Sequence, residues 1–474
     1  MGFLRRARDL AAAFWSPEVP EEREAARRAW ERLPETARLP DQVLGTASAG
    51  CAATVGVQER CNLWCSACYL AQDANQAPPL PFEEVRRQLD DIRAHLGPWG
   101  NTQITSGEVT LLPCDDLVRI LDHCRTIELA PMLMTNGTVL LEDPTYLERL
   151  VLEGGLDNLA IHVDTTQAGR QDAPRRRVLE TGDETALMPL RERFADLVRD
   201  TRARTGRPLH AAHTVTVTDE TLEHVPGLVR WAVANADAFR LLSLQPTAQV
   251  GRTTADKPRG GRAALWSAIC TGLGFEANEA QWHFGDPDCS TIVAAFVVDL
   301  SGRGEEGAQR VVETTRKDSR LDRWFFRRLL HGGLAGWRPG GEGTARATAR
   351  LLGRVARHPR LLLDVAVFGV ARTWSERRVL ASMAGALLRG RLPRVRPFAV
   401  VVHHFMDAAE LETDRGRERL AACAFKVPVD GEMVSMCELN GTSLRDELNR
   451  AATVPTPPRR ERSAPAEEPA AVAR

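Results

Sequence analysis

The sequence "AATVGVQERCNLWCSACYL", residues 52–70, joins a predicted buried strand to three closely spaced cysteines. Its first seven residues lack charge and include β-branched valine and threonine, a composition that favours a strand. Cys61, Cys65 and Cys68 follow in a chain with ten cysteines among 474 residues. Random placement would give this spacing somewhere in the chain with odds of about 0.4%. The thiols therefore lie in the loop after a first strand, where parallel α/β folds place their chemistry.

The composition is that of a folded globular protein. Apolar residues make up 43% of the chain and charged residues 26%, which suffices for one large core or several smaller ones. The formal net charge of -1 argues against a globally basic surface, so no nucleic-acid partner is expected. Without a secretion signal or an apolar run of about 18 residues, we expect a cytoplasmic protein with reduced thiols.

Short β-rich segments alternate with amphipathic helical patterns over residues 52–252. The predicted strands are 52–58, 102–105, 132–137, 157–164, 209–217 and 238–246. Such alternation predicts a parallel sheet joined by crossover helices. Because six units fall short of the eight that close a full barrel, we predict an α/β fold built on a partial (β/α)6 TIM-like barrel. A doubly wound sheet is the alternative.

The remaining sequence divides into segments of different composition. We predict a helical N-terminal extension at 1–50, the core at 51–252, an irregular region with Cys289 at 253–345, a basic amphipathic helical segment at 346–397, an α+β cysteine-bearing region at 398–452 and a disordered tail at 453–474. The basic segment holds twelve arginines against Asp364 and Glu376. It predicts either a helix on an anionic membrane surface or a helix that covers the barrel with a solvated arginine face.

The three thiols of the first loop leave two kinds of metal site open. A structural zinc ion takes four ligands, usually as two pairs, and no second CxxC or nearby histidine completes this set. Three thiolates suit a [4Fe-4S] cluster better, because they leave one iron free to bind a substrate. A non-catalytic zinc-binding scaffold that docks on membranes stays as the alternative.

The CxxxCxxC spacing after a first strand resembles the radical S-adenosylmethionine (SAM) superfamily. The stretch "ITSGEVTLL" is similar to that family's GGE motif, with Ser106, Gly107 and Glu108 in place of Gly-Gly-Glu. "MLMTNGT" and "LAIHVDTT" resemble its third and fourth strands. One position differs, because Ala67 stands where the family usually has an aromatic residue, and Tyr69 comes after the third cysteine.

The resemblance implies a mechanism and its residues. Cys61, Cys65 and Cys68 would ligate a [4Fe-4S] cluster whose open iron chelates SAM. An electron from a reductant such as flavodoxin or ferredoxin would then release a 5′-deoxyadenosyl radical that abstracts hydrogen from an unactivated carbon. The cofactor-binding candidates are Ser106, Gly107 and Glu108 for the SAM ammonium, and Asn136, His162 and Asp164 for the ribose. From the residues alone, His162 also fits a core histidine and Asp164 a turn cap.

The segment "HHFMDAAELETDRGRERLAACAFKVPVDGEMVSMCELNG" resembles part of the radical SAM group that contains the tetraether lipid synthases, formerly called class D methylases. This resemblance implies a lipid substrate, with carbon–carbon bond formation or methylation. It also implies an auxiliary iron-sulfur cluster at Cys289, Cys423 and Cys437, with Cys270 as the nearest fourth ligand. Residues 1–50 contain no CxxC, whereas that group carries a cysteine-rich amino-terminal module. A peptide-modifying radical SAM maturase is the alternative.

Overall fold

The computed structural model describes residues 2–16, 19–168, 183–279, 282–301, 307–331 and 344–453. The predicted tail from 454 onward lies outside these residues. The strands are β1 (Ala52–Gln58), β2 (Trp64–Cys65), β3 (Asn101–Ser106), β4 (Ala130–Thr135), β5 (Asn158–His162), β6 (Gln167–Ala168), β7 (His210–Val217), β8 (Phe239–Pro246), β9 (Ser290–Asp299), β10 (Gln309–Glu313), β11 (Arg394–His403), β12 (Phe425–Val429) and β13 (Glu432–Ser435).

The helices precede, connect and follow these strands. They are α1 (Gly2–Trp15), α2 (Pro20–Arg32), α3 (Phe82–Leu96), α4 (Cys114–Thr126), α5 (Thr138–Glu142), α6 (Pro144–Leu152), α7 (Met188–Thr205), α8 (Val225–Ala234), α9 (Gly261–Leu273), α10 (Arg320–His331), α11 (Thr344–Arg357), α12 (Pro359–Ser375), α13 (Arg377–Leu388), α14 (Ala408–Leu411), α15 (Asp414–Ala421), α16 (Met436–Gly441) and α17 (Leu444–Thr453).

The six predicted strands are the centre of one sheet. Strands β1, β3, β4, β5, β7 and β8 lie side by side in chain order, and each pairs in parallel with the next. The parallel α/β arrangement predicted from the alternation is therefore confirmed. Strictly sequential order has no reversal point, which a doubly wound sheet requires. In the described part of the chain the pairings leave the sheet open, with β10 and β13 at its edges.

The crossover helices cover one face of this sheet. In α3, for example, Val85, Leu89, Ile92 and Leu96 recur at helical spacing and are all buried. They belong to the same core cluster as sheet residues such as Ile104. Each such side chain contributes roughly 1.5–3 kcal/mol by leaving water. The opposite face of the strands is left to line a cavity.

The chain after residue 253 also builds the sheet. Residues 253–345, expected as an irregular region, contain the long helices α9 and α10 and the ten-residue strand β9. Strand β11 pairs in parallel with β8 and antiparallel with β9. At the other side of the core, β12 pairs in parallel with β1. The uncharged run of β9 had the composition of a strand, but the glycines and arginines after it obscured that pattern.

Aromatic side chains connect the two sides of the six-stranded core. His403 ends β11, and Phe425 begins β12. Their ring centroids lie 6.4 Å apart, and Phe405 lies 5.9 Å from His403 and 6.3 Å from Phe425. Because β11 and β12 lie next to the two outer strands of the six, β8 and β1, this contact requires the sheet to curve around the cavity.

Candidate active site

The cysteine loop after β1 is fixed on one side by the segment that follows β5. Strand β2, which contains Cys65, pairs antiparallel with β6, so that Cys65 stands opposite Gln167. The amide of Ser66 donates a hydrogen bond of 2.9 Å to the carbonyl of Thr166. These backbone bonds hold the loop at the carboxyl ends of the strands.

The loop after β8 fixes the other side. The Arg252 amide donates to the Cys68 carbonyl at 3.0 Å, and the Thr254 amide donates to Ser66 at 2.7 Å. In return, the Cys68 amide donates to the hydroxyl of Thr253 at 3.0 Å. The residues 252–254 therefore position the third cysteine, a role that their sequence alone did not reveal.

A cavity of about 240 Å³ opens beneath this loop. Of the predicted site residues, those that line it are Cys61, Cys65, Cys68, Ser106, Asn136, His162 and Cys437. The three loop thiols therefore share one cavity with Ser106 at the end of β3, Asn136 after β4, His162 at the end of β5 and the C-terminal Cys437. Gly107, Glu108, Asp164, Cys289 and Cys423 are not among its lining residues.

The thiols lie near a buried cation that has spare hydrogen-bond donors. Burial raises the pKa of Cys61 to about 11, and burial together with the neighbouring thiols raises the pKa of Cys65 well above its usual value. The Arg252 guanidinium lowers both values. Its Nε and Nη1 are buried and make no hydrogen bond. A group that is anionic once the thiols deprotonate would be stabilised by this nearby cation, so the residues fit an iron-sulfur cluster.

The described ranges contain no group of three or more histidine, cysteine, aspartate or glutamate side chains already arranged to hold a metal ion. The loop cysteines share a cavity and interact electrostatically. Their sulfurs do not form a closed ligand shell.

The turn after β3 requires glycine at its centre. A Cβ atom on Gly107 would lie 2.1 Å from the carbonyl oxygen of Arg60 and 2.5 Å from that of Glu59. The Gly107 amide donates to Gln58 at 2.7 Å, and the Glu108 amide donates to Arg60 at 2.8 Å. The turn therefore packs its backbone directly against the start of the cysteine loop.

We expect Gly107→Ala to destabilise the protein by about 3 kcal/mol, because backbone atoms on both sides cannot make room for the methyl group. Urea denaturation measures this change. Gly227→Ala is the matched control. Gly227 lies in α8 with no atom near its added Cβ, so the same substitution there should stabilise the helix slightly. Equal effects at the two positions would contradict the close packing of the turn.

Ser106 takes the place of the first glycine of the motif at a strained angle. Its φ is 114°, a region that L-residues rarely adopt. Its hydroxyl bonds to Glu59 and accepts from Arg445 Nη1 at 3.2 Å, and its carbonyl accepts from the Tyr69 hydroxyl at 2.8 Å. The surrounding contacts thus hold the angle that glycine would adopt freely.

The Glu108 carboxylate is directed into the protein. Its Oε1 accepts from the Thr110 hydroxyl and the Thr135 hydroxyl, each at 2.6 Å, and its Oε2 accepts from the Asn136 amide at 2.6 Å. Glu108 is buried. The side chain therefore ties the end of β3 to the end of β4, and it positions Asn136 at the cavity.

His162 and Asp164 form a hydrogen-bonded pair at the end of β5. His162 Nε2 lies 2.5 Å from Asp164 Oδ2, which also accepts from the Thr216 amide at 2.7 Å. Burial acts to raise the pKa of Asp164, but His162 and the donors from Thr166 and Thr216 outweigh it and hold that pKa well below its usual range. The ionised carboxylate orients the His162 ring, which lines the cavity.

Tyr69, the aromatic residue that follows the third cysteine, supports the turn after β3. Its hydroxyl supports the Ser106 carbonyl, and its ring lies under the Arg445 guanidinium at 4.8 Å. Burial raises the pKa of Tyr69 to about 12. Arg445 comes from the C-terminal helix α17 and also pairs with Glu59 at 3.0 Å. No local sequence signal connects residues so far apart in the chain.

The C-terminal cysteines gather near one another beside the cavity. The His404 amide donates to the Cys289 carbonyl at 2.9 Å, and the Met406 amide contacts Cys437 Sγ at 3.5 Å. Cys423 interacts electrostatically with both cysteines.

The fourth cysteine near this group is not the predicted one. Cys270 is buried on α9 and contacts the Ala277 amide at 3.4 Å. Its charged neighbours are Glu276, Lys317 and Glu313 rather than the other cysteines. Cys51, next to β1, interacts with Cys423 instead.

Comparisons with known proteins cover part of the chain. No protein family model matches it. A 7,8-dihydro-6-hydroxymethylpterin dimethyltransferase from Methanocaldococcus jannaschii is 26% identical over 215 residues, which are 45% of this chain and 39% of that protein. The chain therefore matches well under half the length of this relative.

Two similar solved structures are forms of anSMEcpe. Native anSMEcpe with bound AdoMet and the Cp18Cys peptide is 16% identical, with a TM-score of 0.30, over 41% of this chain and 50% of that chain. Native anSMEcpe with bound AdoMet gives the same values. At 26% identity over 39% of its length, the sequence relative does not assign this chain to a particular group of enzymes.

Proposed function

We propose that this chain is a radical SAM enzyme that abstracts hydrogen from an unactivated carbon of a lipid or long-chain isoprenoid-like substrate, for carbon–carbon bond formation or methylation. The observation that carries the proposal is the cysteine loop, whose three thiols line one cavity and interact electrostatically with the buried Arg252 guanidinium. A [4Fe-4S] cluster bound there would supply the electron that cleaves SAM.

One layer of the cavity wall is mainly apolar. Strand pairing places Thr216 opposite Gln245 near the rim, and Thr214 opposite Ser243 one layer deeper. The next layer is an apolar row of register partners, which are Met134, Ala160, Ala212 and Leu241. Polar side chains near the rim suit the charged and hydroxylated parts of SAM, and the apolar row suits an aliphatic chain.

The chain's own residues would orient SAM. Asn136 and His162 line the cavity and are each fixed by a carboxylate, Glu108 and Asp164 respectively. Such fixed polar groups lower the entropy cost of holding a bound molecule in one pose. Glu108 and Asp164 are therefore positioning residues in this proposal.

The methylation branch has support from the relative, whose name describes dimethyl transfer to a pterin. We also propose that flavodoxin or ferredoxin supplies the electron. An auxiliary iron-sulfur cluster at Cys289, Cys423 and Cys437 is part of the proposal. Cys51 replaces Cys270 as its nearest candidate fourth ligand. Iron content in a Cys423→Ala variant, compared with Cys270→Ala, tests that part.

Deuterium transfer tests the substrate class. The anaerobically reconstituted protein would be given SAM, a reductant and deuterated lipid fractions, and the 5′-deoxyadenosine product would be analysed by mass spectrometry. Deuterium in the nucleoside supports the proposal. Transfer from a deuterated peptide and from no lipid would favour the maturase, and zinc without iron in the purified protein would favour the scaffold.

We expect Ala212→Leu to reduce turnover of a long-chain substrate about tenfold or more, because it adds bulk to the apolar row. Formation of 5′-deoxyadenosine without substrate should change little, since SAM would bind nearer the rim. Ala94→Leu, at an exposed position of α3, is the matched control and should alter neither rate. A parallel loss of both rates in Ala212→Leu would place SAM, rather than the substrate, against this row.

A further inference from the structure

Helix α12 presents apolar side chains to solvent. Leu363, Val367, Val370 and Trp374 recur at spacings of four, three and four residues, which places them on one helix face. Leu363 is 66% exposed, Val370 74% and Trp374 73%. A helix on the surface of a globular protein normally directs such a stripe toward the core.

Two charged residues of α12 face inward. Asp364 pairs with Arg328 of α10 at 3.0 Å, and Arg372 pairs with the buried Asp322 at 3.0 Å. Between them, Phe368 stacks on Phe325 with ring centroids 4.0 Å apart. These contacts fix the rotation of the helix, so the outward apolar face is its packed orientation.

Further apolar side chains are exposed on the next helix, α13. Leu387 and Leu388 at the end of α13 are exposed, Leu388 to 89%, and Leu392 follows them in the next turn. Exposed apolar side chains in such numbers are typical of docking surfaces. In the described chain, no helix is long and apolar enough to cross a membrane.

Positive charge surrounds the patch. The exposed arginines of this region are Arg360, Arg377, Arg378, Arg389 and Arg391. The sequence from 344 to 392 contains two carboxylates, Asp364 and Glu376. Asp364 is paired with Arg328, and Glu376 lies 3.5 Å from Arg372. The surface therefore combines apolar side chains with cations and presents no exposed carboxylate in that range.

We propose that the face formed by α12 and α13 docks on an anionic lipid bilayer, with its apolar side chains in the headgroup boundary and its arginines against the lipid phosphates. Leucine, valine and tryptophan on one face with arginines beside them is the composition of an interfacial helix. A second copy of the chain would place the arginines of both copies against each other. The docking goes beyond the proposed function and does not depend on which reaction the chain catalyses.

Vesicle flotation of the full chain tests this docking. The protein is expected to float with vesicles of mixed phosphatidylcholine and phosphatidylglycerol, and to bind phosphatidylcholine vesicles much more weakly. Added salt should release it, because screening weakens the attraction to lipid phosphates. Val370→Glu should lower the partition coefficient at least about tenfold. Arg377→Gln with Arg378→Gln should lower it about 25-fold.

The control variant is Leu152→Glu, which makes the same kind of change at an exposed leucine on α6. It should leave flotation unchanged, and thermal melting should show that Val370→Glu folds like the parent. Failure of the parent to float with anionic vesicles would overturn the docking, and so would equal, salt-insensitive binding to both kinds of vesicle. An oligomer in lipid-free solution that Val370→Glu dissociates would assign the face to a second copy and overturn it as well.

Discussion

Cys65→Ala is expected to abolish iron binding at the first loop and to lower 5′-deoxyadenosine formation by at least about 100-fold. Substituting a residue that only hydrogen-bonds to a metal ligand typically lowers metal affinity by about 10–100-fold. Cys65→Ala removes a proposed ligand itself, so its effect should be at least as large. Cys65 stands between the other two loop cysteines in strand β2, held opposite Gln167. Iron and sulfide content, visible absorbance and nucleoside formation after anaerobic reconstitution measure the effect.

Cys114→Ala is the matched control for this change. Cys114 is a half-buried thiol at the start of α4, and its sulfur contacts the carbonyl of Tyr146 at 3.8 Å, away from the cysteine loop. The variant should keep the iron content and the activity of the parent. If Cys65→Ala formed as much nucleoside as Cys114→Ala, the assignment of the loop cysteines as cluster ligands would be wrong.

Local patterns predicted the core of the fold because each strand and helix there carries its own signal. The segment 52–58 is uncharged and β-rich, and it forms β1 over the predicted residues. Alternation of such strands with helices requires parallel pairing, which the sheet shows. The C-terminal strands have a strand composition of their own, as in the uncharged "PFAVVV" of β11, but their place in the sheet had no such signal. Strands β11 and β12 join the sheet beside β8 and β1, and pairing between distant segments leaves no periodicity in either one.

The candidate site was predictable where its residues are adjacent in the chain. The cysteine spacing identified the loop, and the order of strands implied that the ends of β3, β4 and β5 meet there. Arg252 and Arg445 were missed because their roles depend on loops packing across the cavity. The strain at Ser106 was also hidden, since a sequence gives the residue and not its φ angle.

Beneath the end of β5 lies a fully buried ion pair that the sequence did not reveal. Glu184 and Arg191 are hydrogen-bonded to each other, and both are inaccessible to solvent. Glu184 also accepts from the Thr165 amide at 2.7 Å, and Arg191 donates to the Val163 carbonyl at 3.0 Å. The pair therefore supports the backbone on either side of Asp164, which orients His162.

Glu184→Gln is expected to lower the free energy of unfolding by about 3–5 kcal/mol, because it leaves the Arg191 charge buried without its counter-ion. Glu83→Gln is the matched control. Glu83 pairs with Arg86 at 2.8 Å on the exposed face of α3, and loss of such a surface pair should cost less than about 1 kcal/mol. Urea denaturation of both variants measures the difference.

Adding Arg191→Met to Glu184→Gln should recover part of the lost stability, since the uncompensated charge is then gone. A double variant no more stable than Glu184→Gln alone would contradict this electrostatic origin.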